Sequence, residues 1–175
     1  MHKQPVFPNL PVLVVDDSPF ARKIIRSMLE PVGIRQIIEA PDGAEALQRL
    51  TQFRPGLIVL DWNLPVFSAF DLLSVLRDPA RSAETAIPVI VVTSAPTRGV
   101  IERAAQRDVI HVLRKPFAPK ALWQRIACFY NQLDPVIDVR AGLEQPLLVE
   151  SRPAAPAPLS APEPWQLGTP RLTAQ

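Results

Sequence analysis

The stretch Leu57-Ile58-Val59-Leu60-Asp61 constrains the fold of this chain more than any other. Its four consecutive aliphatic residues are too few for a helix, but they suit a strand buried on both faces, as in a parallel sheet covered by helices. The run ends in a carboxylate, and a turn-forming segment follows at residues 62–65. Ligands of open α/β sheets bind in the crevice outside the carboxyl edge of the strands. We therefore expect Asp61 to stand at a ligand-binding edge.

Similar short apolar runs alternate with segments of helical periodicity along the chain. The first run, residues 12–15, ends in Asp16-Asp17, and the Ser18-Pro19 pair that follows is typical of a helix start. In the third helical segment Phe70, Leu73 and Leu76 are predicted to face the core. Because strand–helix–strand crossovers place helices on both faces of a sheet, the alternation predicts a doubly wound parallel α/β sheet. The predicted strands are residues 12–15, 34–39, 57–60, 88–93 and 109–113, and the predicted helices are residues 19–30, 44–50, 69–77, 97–106 and 118–130.

Proline marks where this pattern stops. Prolines at positions 135, 146, 153, 156, 158, 162, 164 and 170 are interleaved with alanine and serine, a composition that supports neither a helix nor a sheet. We therefore predict an N-terminal extension at residues 1–9, a folded domain at residues 10–130, and a Pro/Ala-rich C-terminal tail at residues 131–175 that is largely disordered.

Composition narrows the cellular context and the class of partner. No apolar run approaches the roughly 18 residues that a membrane span needs, and the N-terminus lacks the apolar stretch of a secretory signal. The net charge is only +2, and lysine and arginine are scattered rather than clustered. We expect a cytoplasmic protein with no membrane insertion and no direct nucleic-acid partner.

Polar side chains stand at the ends of four predicted strands. Asp16 and Asp17 follow the first strand, Asp61 the third and Thr93 the fourth, and Lys115 comes just after the fifth. Three carboxylates at one edge repel one another unless a cation is present. With a single cysteine and two histidines, a Cys/His metal site is improbable. Oxygen ligands of this kind suit Mg²⁺.

The same groups suggest phosphoryl chemistry. A carboxylate can attack phosphorus and form an aspartyl phosphate, and Asp61 is the candidate nucleophile. The Lys115 ammonium would offset the phosphoryl charge, and the Thr93 hydroxyl would donate to a phosphoryl oxygen. A phosphohydrolase of the haloacid dehalogenase type also uses such an aspartate, but it needs a carboxylic acid two residues further on, and Asn63 stands there.

Across residues 10–130 the sequence resembles the receiver domain of two-component response regulators of the chemotaxis type. The resemblance lies in five separate motifs, which occur in order at the expected strand ends. They are Val14-Val15-Asp16-Asp17-Ser18 with Arg22, Ala40-Pro41-Asp42-Gly43-Ala44-Glu45-Ala46-Leu47, Asp61-Trp62-Asn63-Leu64-Pro65, Val92-Thr93-Ser94-Ala95 and Lys115-Pro116-Phe117.

The resemblance implies a flavodoxin-like (βα)5 fold with strand order 2-1-3-4-5. It implies that Asp61 accepts a phosphoryl group from a histidine kinase or a histidine phosphotransfer protein. Thr93 would be the switch hydroxyl, and Lys115 the lysine of the site, with a cis bond to Pro116. The implied ligands of Mg²⁺ are Asp16, Asp17, Asp61 and the backbone carbonyl of Asn63.

One departure from the family concerns the readout of phosphorylation. Receivers often carry an aromatic residue three positions before the lysine, and this chain has Val112 there. A valine has no ring to swing inward when the threonine moves. The usual coupling between threonine and aromatic ring is therefore expected to be weakened or replaced.

Two functional hypotheses follow. The first is a single-domain response regulator, a signalling module rather than an enzyme, that catalyses only its own Mg²⁺-dependent phosphorylation and dephosphorylation. Its phosphorylated form would bind a downstream protein effector. The alternative is a receiver-fold adaptor that is independent of phosphorylation and acts through its surface and C-terminal tail.

Overall fold

The computed structural model describes residues 7–81 and 87–130. They form a parallel sheet of five strands in the order β2-β1-β3-β4-β5, which confirms the predicted doubly wound fold and strand order. The strands are β1 (Val12–Val15), β2 (Ile37–Ala40), β3 (Leu57–Asp61), β4 (Val89–Thr93) and β5 (His111–Arg114). The α-helices are α1 (Pro19–Leu29), α2 (Gly43–Phe53), α3 (Ala69–Leu76), α4 (Arg98–Ala105) and α5 (Pro119–Tyr130).

The inner strands are those with continuous apolar sequences. Every residue of β1, β3 and β4 is buried, because helices cover both faces of the sheet. The edge strands β2 and β5 are only partly buried. One face of the sheet packs on α1 and α5, and the other on α2 and α3.

Short side-chain caps begin the helices around the sheet. The Ser18 hydroxyl accepts a hydrogen bond from the Ala21 N–H at 3.3 Å, and the Asp42 carboxylate accepts one from the Glu45 N–H at 2.8 Å. Such oxygens satisfy N–H groups that have no partner within the helix. The helix starts after β1 and β2 are thus fixed by residues that the sequence places there.

Three of the predicted details were wrong. The edge strands begin later than predicted, at Ile37 and His111, because the ladder with the neighbouring strand starts only there. Ile34, predicted to be in the strand, is fully buried in the connection before it. In α3, Leu72 takes the core position predicted for Phe70, whose ring is half-buried beneath the Arg107 guanidinium at 4.6 Å.

Some predictions concern parts of the chain that lie outside the described residues. These are the tail at residues 131–175 and most of the N-terminal extension. Within residues 7–81 and 87–130, no helix is both long enough and apolar enough to cross a membrane.

Candidate functional site at the carboxyl edge of the sheet

The fold brings the predicted polar residues to one edge of the sheet. Asp16 directly follows β1, while Asp61 and Thr93 are the last residues of β3 and β4. Lys115 directly follows β5. Because all strands run parallel, their carboxyl ends lie at the same edge, and four segments that are distant in sequence converge there.

Three carboxylates meet at this edge. Asp16, Asp17 and Asp61 each offer an oxygen within 4.8 Å of the others. Asp16 and Asp61 are buried, whereas Asp17 is exposed. This oxygen set, open to solvent on one side, suits Mg²⁺, which retains several waters when bound to proteins. Asn63, whose backbone carbonyl was the fourth predicted ligand, lies exposed just after β3.

Lys115 links two of the acids. Its ammonium donates a hydrogen bond to Asp16 Oδ2 at 2.7 Å and lies 3.2 Å from Asp61 Oδ1. The second contact has the distance of an ion pair but not the alignment of a hydrogen bond. Burial would lower the pKa of Lys115, but its contacts with Asp16 and Asp61 outweigh this and raise the pKa above its usual value. Lys115 is therefore a fixed cation at neutral pH.

Asp61 is the acid of this group whose carboxylate lacks a hydrogen-bond partner at one buried oxygen, within the part of the chain that the structure describes. Among the described residues, its Oδ1 is a buried oxygen without a hydrogen-bond partner. Burial, assisted by the Asp16 charge, raises the pKa of Asp61, although Lys115 and the Asn63 backbone N–H oppose the rise. Apart from the ion pair with Lys115, this buried oxygen lacks a hydrogen-bond partner in the described chain, which costs free energy, and a metal cation between the acids would supply a further partner. The residues thus fit a divalent metal.

Thr93 completes this edge of the sheet. It is fully buried, and its hydroxyl oxygen accepts a hydrogen bond from the Ala95 N–H at 3.2 Å. Asp61 pairs with Val92 in the ladder between β3 and β4, so that Thr93 lies one position beyond it. The peptide bond between Lys115 and Pro116 is cis, as predicted.

An open cleft of about 380 Å³ adjoins Asp17. It lies between the start of α2 and the loop after β3, with Asp42, Pro65 and Phe67 in its walls. The loop carries Val66, which is fully exposed and has a φ of 62°, a conformation that is unfavourable for a β-branched residue. Of the three acids, Asp17 alone lines this cleft.

The chain is similar in sequence to known proteins. A sequence model of the response regulator receiver domain matches residues 12–127. The chain belongs to this family. It is 33% identical to the chemotaxis protein CheY of Pseudomonas aeruginosa over 123 residues, which are 70% of this chain and 98% of that protein.

Solved structures agree with this assignment to the receiver family. CheY4 of Vibrio cholerae superposes with a TM-score of 0.63 at 27% identity, covering 68% of this chain and 97% of that one. The receiver domain of the Francisella response regulator 1452 gives a TM-score of 0.63 at 28% identity, covering 71% and 99%. Receiver domains are signalling modules that bind Mg²⁺ at an acidic site and interact with histidine kinases and downstream effectors.

Two further residues, Val112 and Glu39, bear on the site. Val112 is half-buried and packs against the core on the α2 and α3 side of the sheet, so the position of the usual aromatic ring is filled by a small side chain. Sequence reasoning also missed Glu39, which lies on β2 and holds Arg22 beside the acids. The sequence carries no local signal for this contact, because the two residues are 17 positions apart.

Proposed function

We propose that this receiver accepts a phosphoryl group on Asp61 from a histidine kinase or histidine phosphotransfer protein and signals as a single-domain response regulator. The observation that carries the proposal is the meeting of three carboxylates within 4.8 Å, with the Lys115 ammonium 3.2 Å from Asp61. A lone aspartate after a strand is an ordinary turn or cap residue. The convergence of acids and a fixed cation is what phosphoryl transfer requires.

In the proposed reaction an Asp61 carboxylate oxygen attacks phosphorus. The new O–P bond forms as the N–P bond of a phosphohistidine breaks, and the imidazole leaves with the electron pair and takes up a proton. Mg²⁺, held by Asp16, Asp17, Asp61 and the Asn63 carbonyl, would neutralise charge on the phosphoryl oxygens. Lys115 would pair with a further oxygen of the phosphoryl group.

The output is proposed to be a protein–protein interaction that depends on phosphorylation. A phosphoryl group on Asp61 adds negative charge beside Thr93, whose hydroxyl would turn to donate its O–H to a phosphoryl oxygen and would thereby disturb the hydrogen bond that its oxygen accepts from the Ala95 N–H. Such local electrostatic changes bias a two-state surface. In the part of the chain that the structure describes, α4 has one buried residue, Ala104, so this helix can shift at small cost in packing.

Chemical phosphorylation tests the proposal directly. Full-length protein incubated with Mg²⁺ and phosphoramidate, which presents an N–P bond, is expected to gain one phosphoryl group by intact mass spectrometry. The adduct should be sensitive to hydroxylamine and absent from Asp61→Asn. Asp78→Asn, at an exposed aspartate after α3, serves as the matched control and should be labelled like wild type. Labelling that persists in Asp61→Asn would rule out the proposed acceptor.

Val112 favours a second candidate, an adaptor that uses the receiver surface and the C-terminal tail without phosphorylation. The small side chain at this position cannot act as the swinging ring of other receivers. This candidate predicts that partners captured from lysate bind wild type, phosphorylated wild type and Asp61→Asn equally. A partner that prefers the phosphorylated form would exclude it.

A further inference from the structure

Arg22 ties the acidic loop after β1 to the neighbouring strand β2. Its Nη1 donates to the backbone carbonyl of Asp16 at 2.7 Å and to that of Asp17 at 3.4 Å. Its Nε donates to Glu39 Oε2 at 3.1 Å. The side chain is only 15% exposed. One largely buried guanidinium thus joins α1, the acidic loop and β2.

Glu39 is itself held from two sides. The Arg26 Nε donates to Glu39 Oε1 at 2.8 Å, and an Arg26 terminal nitrogen donates to the Ile37 carbonyl at 3.1 Å. Burial would raise the pKa of Glu39, but hydrogen bonds from Arg26 and Arg22 outweigh this and lower the pKa. Glu39 is therefore an anion at neutral pH and balances the Arg22 charge.

These contacts act on the backbone that carries two of the three acids. The Asp16 carboxylate already accepts hydrogen bonds from the Ser18 N–H at 3.0 Å and from Lys115 at 2.7 Å. The Asp17 side chain is exposed, so its direction depends more on the orientation of its peptide groups. The 2.7 Å hydrogen bond to the Asp16 carbonyl holds the peptide group that joins Asp16 to Asp17, and with it the direction of the Asp17 Cα–Cβ bond. The longer 3.4 Å contact with the Asp17 carbonyl adds to this hold.

Replacing Arg22 has two possible effects on the affinity for Mg²⁺, and they are opposite in sign. A cationic guanidinium beside three carboxylates repels a divalent ion, so its removal would tighten metal binding on Coulombic grounds. If Arg22 instead holds the loop in its binding geometry, its removal weakens binding. The sign of the change therefore separates the two roles.

We propose that Arg22 is a positioning residue of the site: it holds the Asp16–Asp17 backbone so that both carboxylates meet Asp61, while Glu39 orients Arg22 and neutralises its charge. This inference rests on the proposed phosphoacceptor function. Neither Arg22 nor Glu39 is a ligand or a reacting group in it. Residues that orient metal ligands commonly change metal affinity by about 10-fold to 100-fold when they are replaced.

The test is a calorimetric titration of the full chain with Mg²⁺ alone. Arg22→Gln is expected to raise the Kd for Mg²⁺ by about 10-fold. Arg26→Gln is the matched control, because it removes the other partner of Glu39 on the same helix without touching the acidic loop, and its Kd should stay within about twofold of wild type. Thermal unfolding of each variant verifies that it is folded at the titration temperature.

A second variant covers the case in which Arg22→Gln does not fold. Arg22→Lys keeps the charge and the aliphatic stem, but a single ammonium lacks the planar fork that reaches the carbonyls and Glu39 together. Its Kd is also expected to rise. An unchanged or lower Kd in a folded Arg22 variant would overturn the proposal, and so would an equal rise in Arg26→Gln.

Labelling of wild type by phosphoramidate separates this inference from the proposed function. If wild type binds Mg²⁺ and is labelled on Asp61 while the Arg22 variants bind Mg²⁺ as wild type does, only the positioning role fails. If wild type is neither labelled nor binds Mg²⁺, both fail.

Discussion

Lys115 and Thr93 are joined directly through the backbone: the Lys115 N–H donates to the Thr93 carbonyl oxygen at 2.7 Å. The Lys115 side chain then turns to the acids, while the Thr93 hydroxyl turns to Ala95. The group proposed to neutralise the phosphoryl charge and the group proposed to sense it are therefore coupled by one hydrogen bond. A displacement of the Thr93 backbone would therefore also move the backbone at Lys115.

The buried hydroxyl of Thr93 is expected to contribute to stability as well as to signalling. Thr93→Val keeps the shape of the side chain but removes the acceptor of the Ala95 N–H, which should cost about 0.5–1.5 kcal/mol, the net value of one hydrogen bond. Urea unfolding measures this loss. Thr51→Val, at an exposed position near the end of α2, is the control and should change stability far less. Equal losses in the two variants would argue against a special role for the buried site.

Asp61→Asn is expected to raise the Tm of the metal-free protein at neutral pH, by a few degrees. The pKa of Asp61 is raised in the folded state, chiefly by burial. The protonated carboxyl thus favours folding below the unfolded-state pKa, and this contribution is lost as pH rises through the folded-state pKa. Asparagine is neutral at every pH, so Asp61→Asn does not lose this contribution to stability.

The pH dependence of this difference provides the check. Thermal unfolding of wild type and Asp61→Asn in a chelator should converge as pH falls through the folded-state pKa of Asp61, because the wild-type carboxyl then becomes neutral too. Saturating Mg²⁺ should shift the difference towards wild type, because the ion stabilises wild type more than Asp61→Asn, which keeps Asp16 and Asp17 but lacks the third acid. A constant difference at all pH values would contradict the assigned cause.

Much of this arrangement is predictable because it follows from short-range patterns. The apolar runs of β1, β3 and β4 specify buried parallel strands, and parallel strands bring their last residues to one edge. This suffices to predict the convergence of Asp16, Asp61, Thr93 and Lys115 from spacing and motif. The family resemblance added the strand order and the cis bond before Pro116.

The structural features that the sequence did not predict depend on contacts between distant segments of the chain. The edge strands β2 and β5 begin where their ladders start, not where their apolar residues start. The Arg22–Glu39 ion pair joins a helix face to an edge strand, and no periodicity marks either partner. Leu72 rather than Phe70 lies in the core because of the rotation of α3 about its own axis. Packing against the sheet sets that rotation.

The start of α2 packs closely against the loop after β3 at Gly43. A Cβ added at Gly43 would lie 2.3 Å from Phe67 Cδ1 and 3.1 Å from the Phe67 carbonyl oxygen. Gly43→Ala should therefore displace the loop beside the acidic cluster and destabilise the protein by about 1–3 kcal/mol. Gly99→Ala is the matched control, because a Cβ there meets nothing within 4 Å, and alanine in a helix should be neutral or stabilising. Urea unfolding should give a lower free energy of unfolding for Gly43→Ala than for wild type, and an equal or higher one for Gly99→Ala.

Arg77 holds the end of α3 against the connection between α4 and β5. Its guanidinium donates to the backbone carbonyls of Arg107, Asp108 and Ile87 at 3.0, 3.2 and 3.2 Å. Arg77→Met should leave these oxygens short of a donor and cost about 2 kcal/mol. Arg98→Met, at a highly exposed arginine on α4, should leave urea unfolding unchanged. A small effect at Arg77 would show that water replaces the guanidinium.

Lys115 competes with any metal ion for the same acids, and its removal should have opposite effects on binding and chemistry. Its ammonium contacts both Asp16 and Asp61, so Lys115→Gln should tighten Mg²⁺ binding, by about 30-fold if each of the two contacts contributes about 1 kcal/mol, near the aqueous Coulomb value. The same change removes a cation proposed to offset charge on the transferring phosphoryl group, and labelling by phosphoramidate should slow by about 100-fold. Lys120→Gln, at an exposed lysine in the first turn of α5, is the control and should alter neither quantity. Calorimetry gives the affinity and the time course of intact mass gives the rate; a loss of both would mean that Lys115 mainly supports the structure of the site.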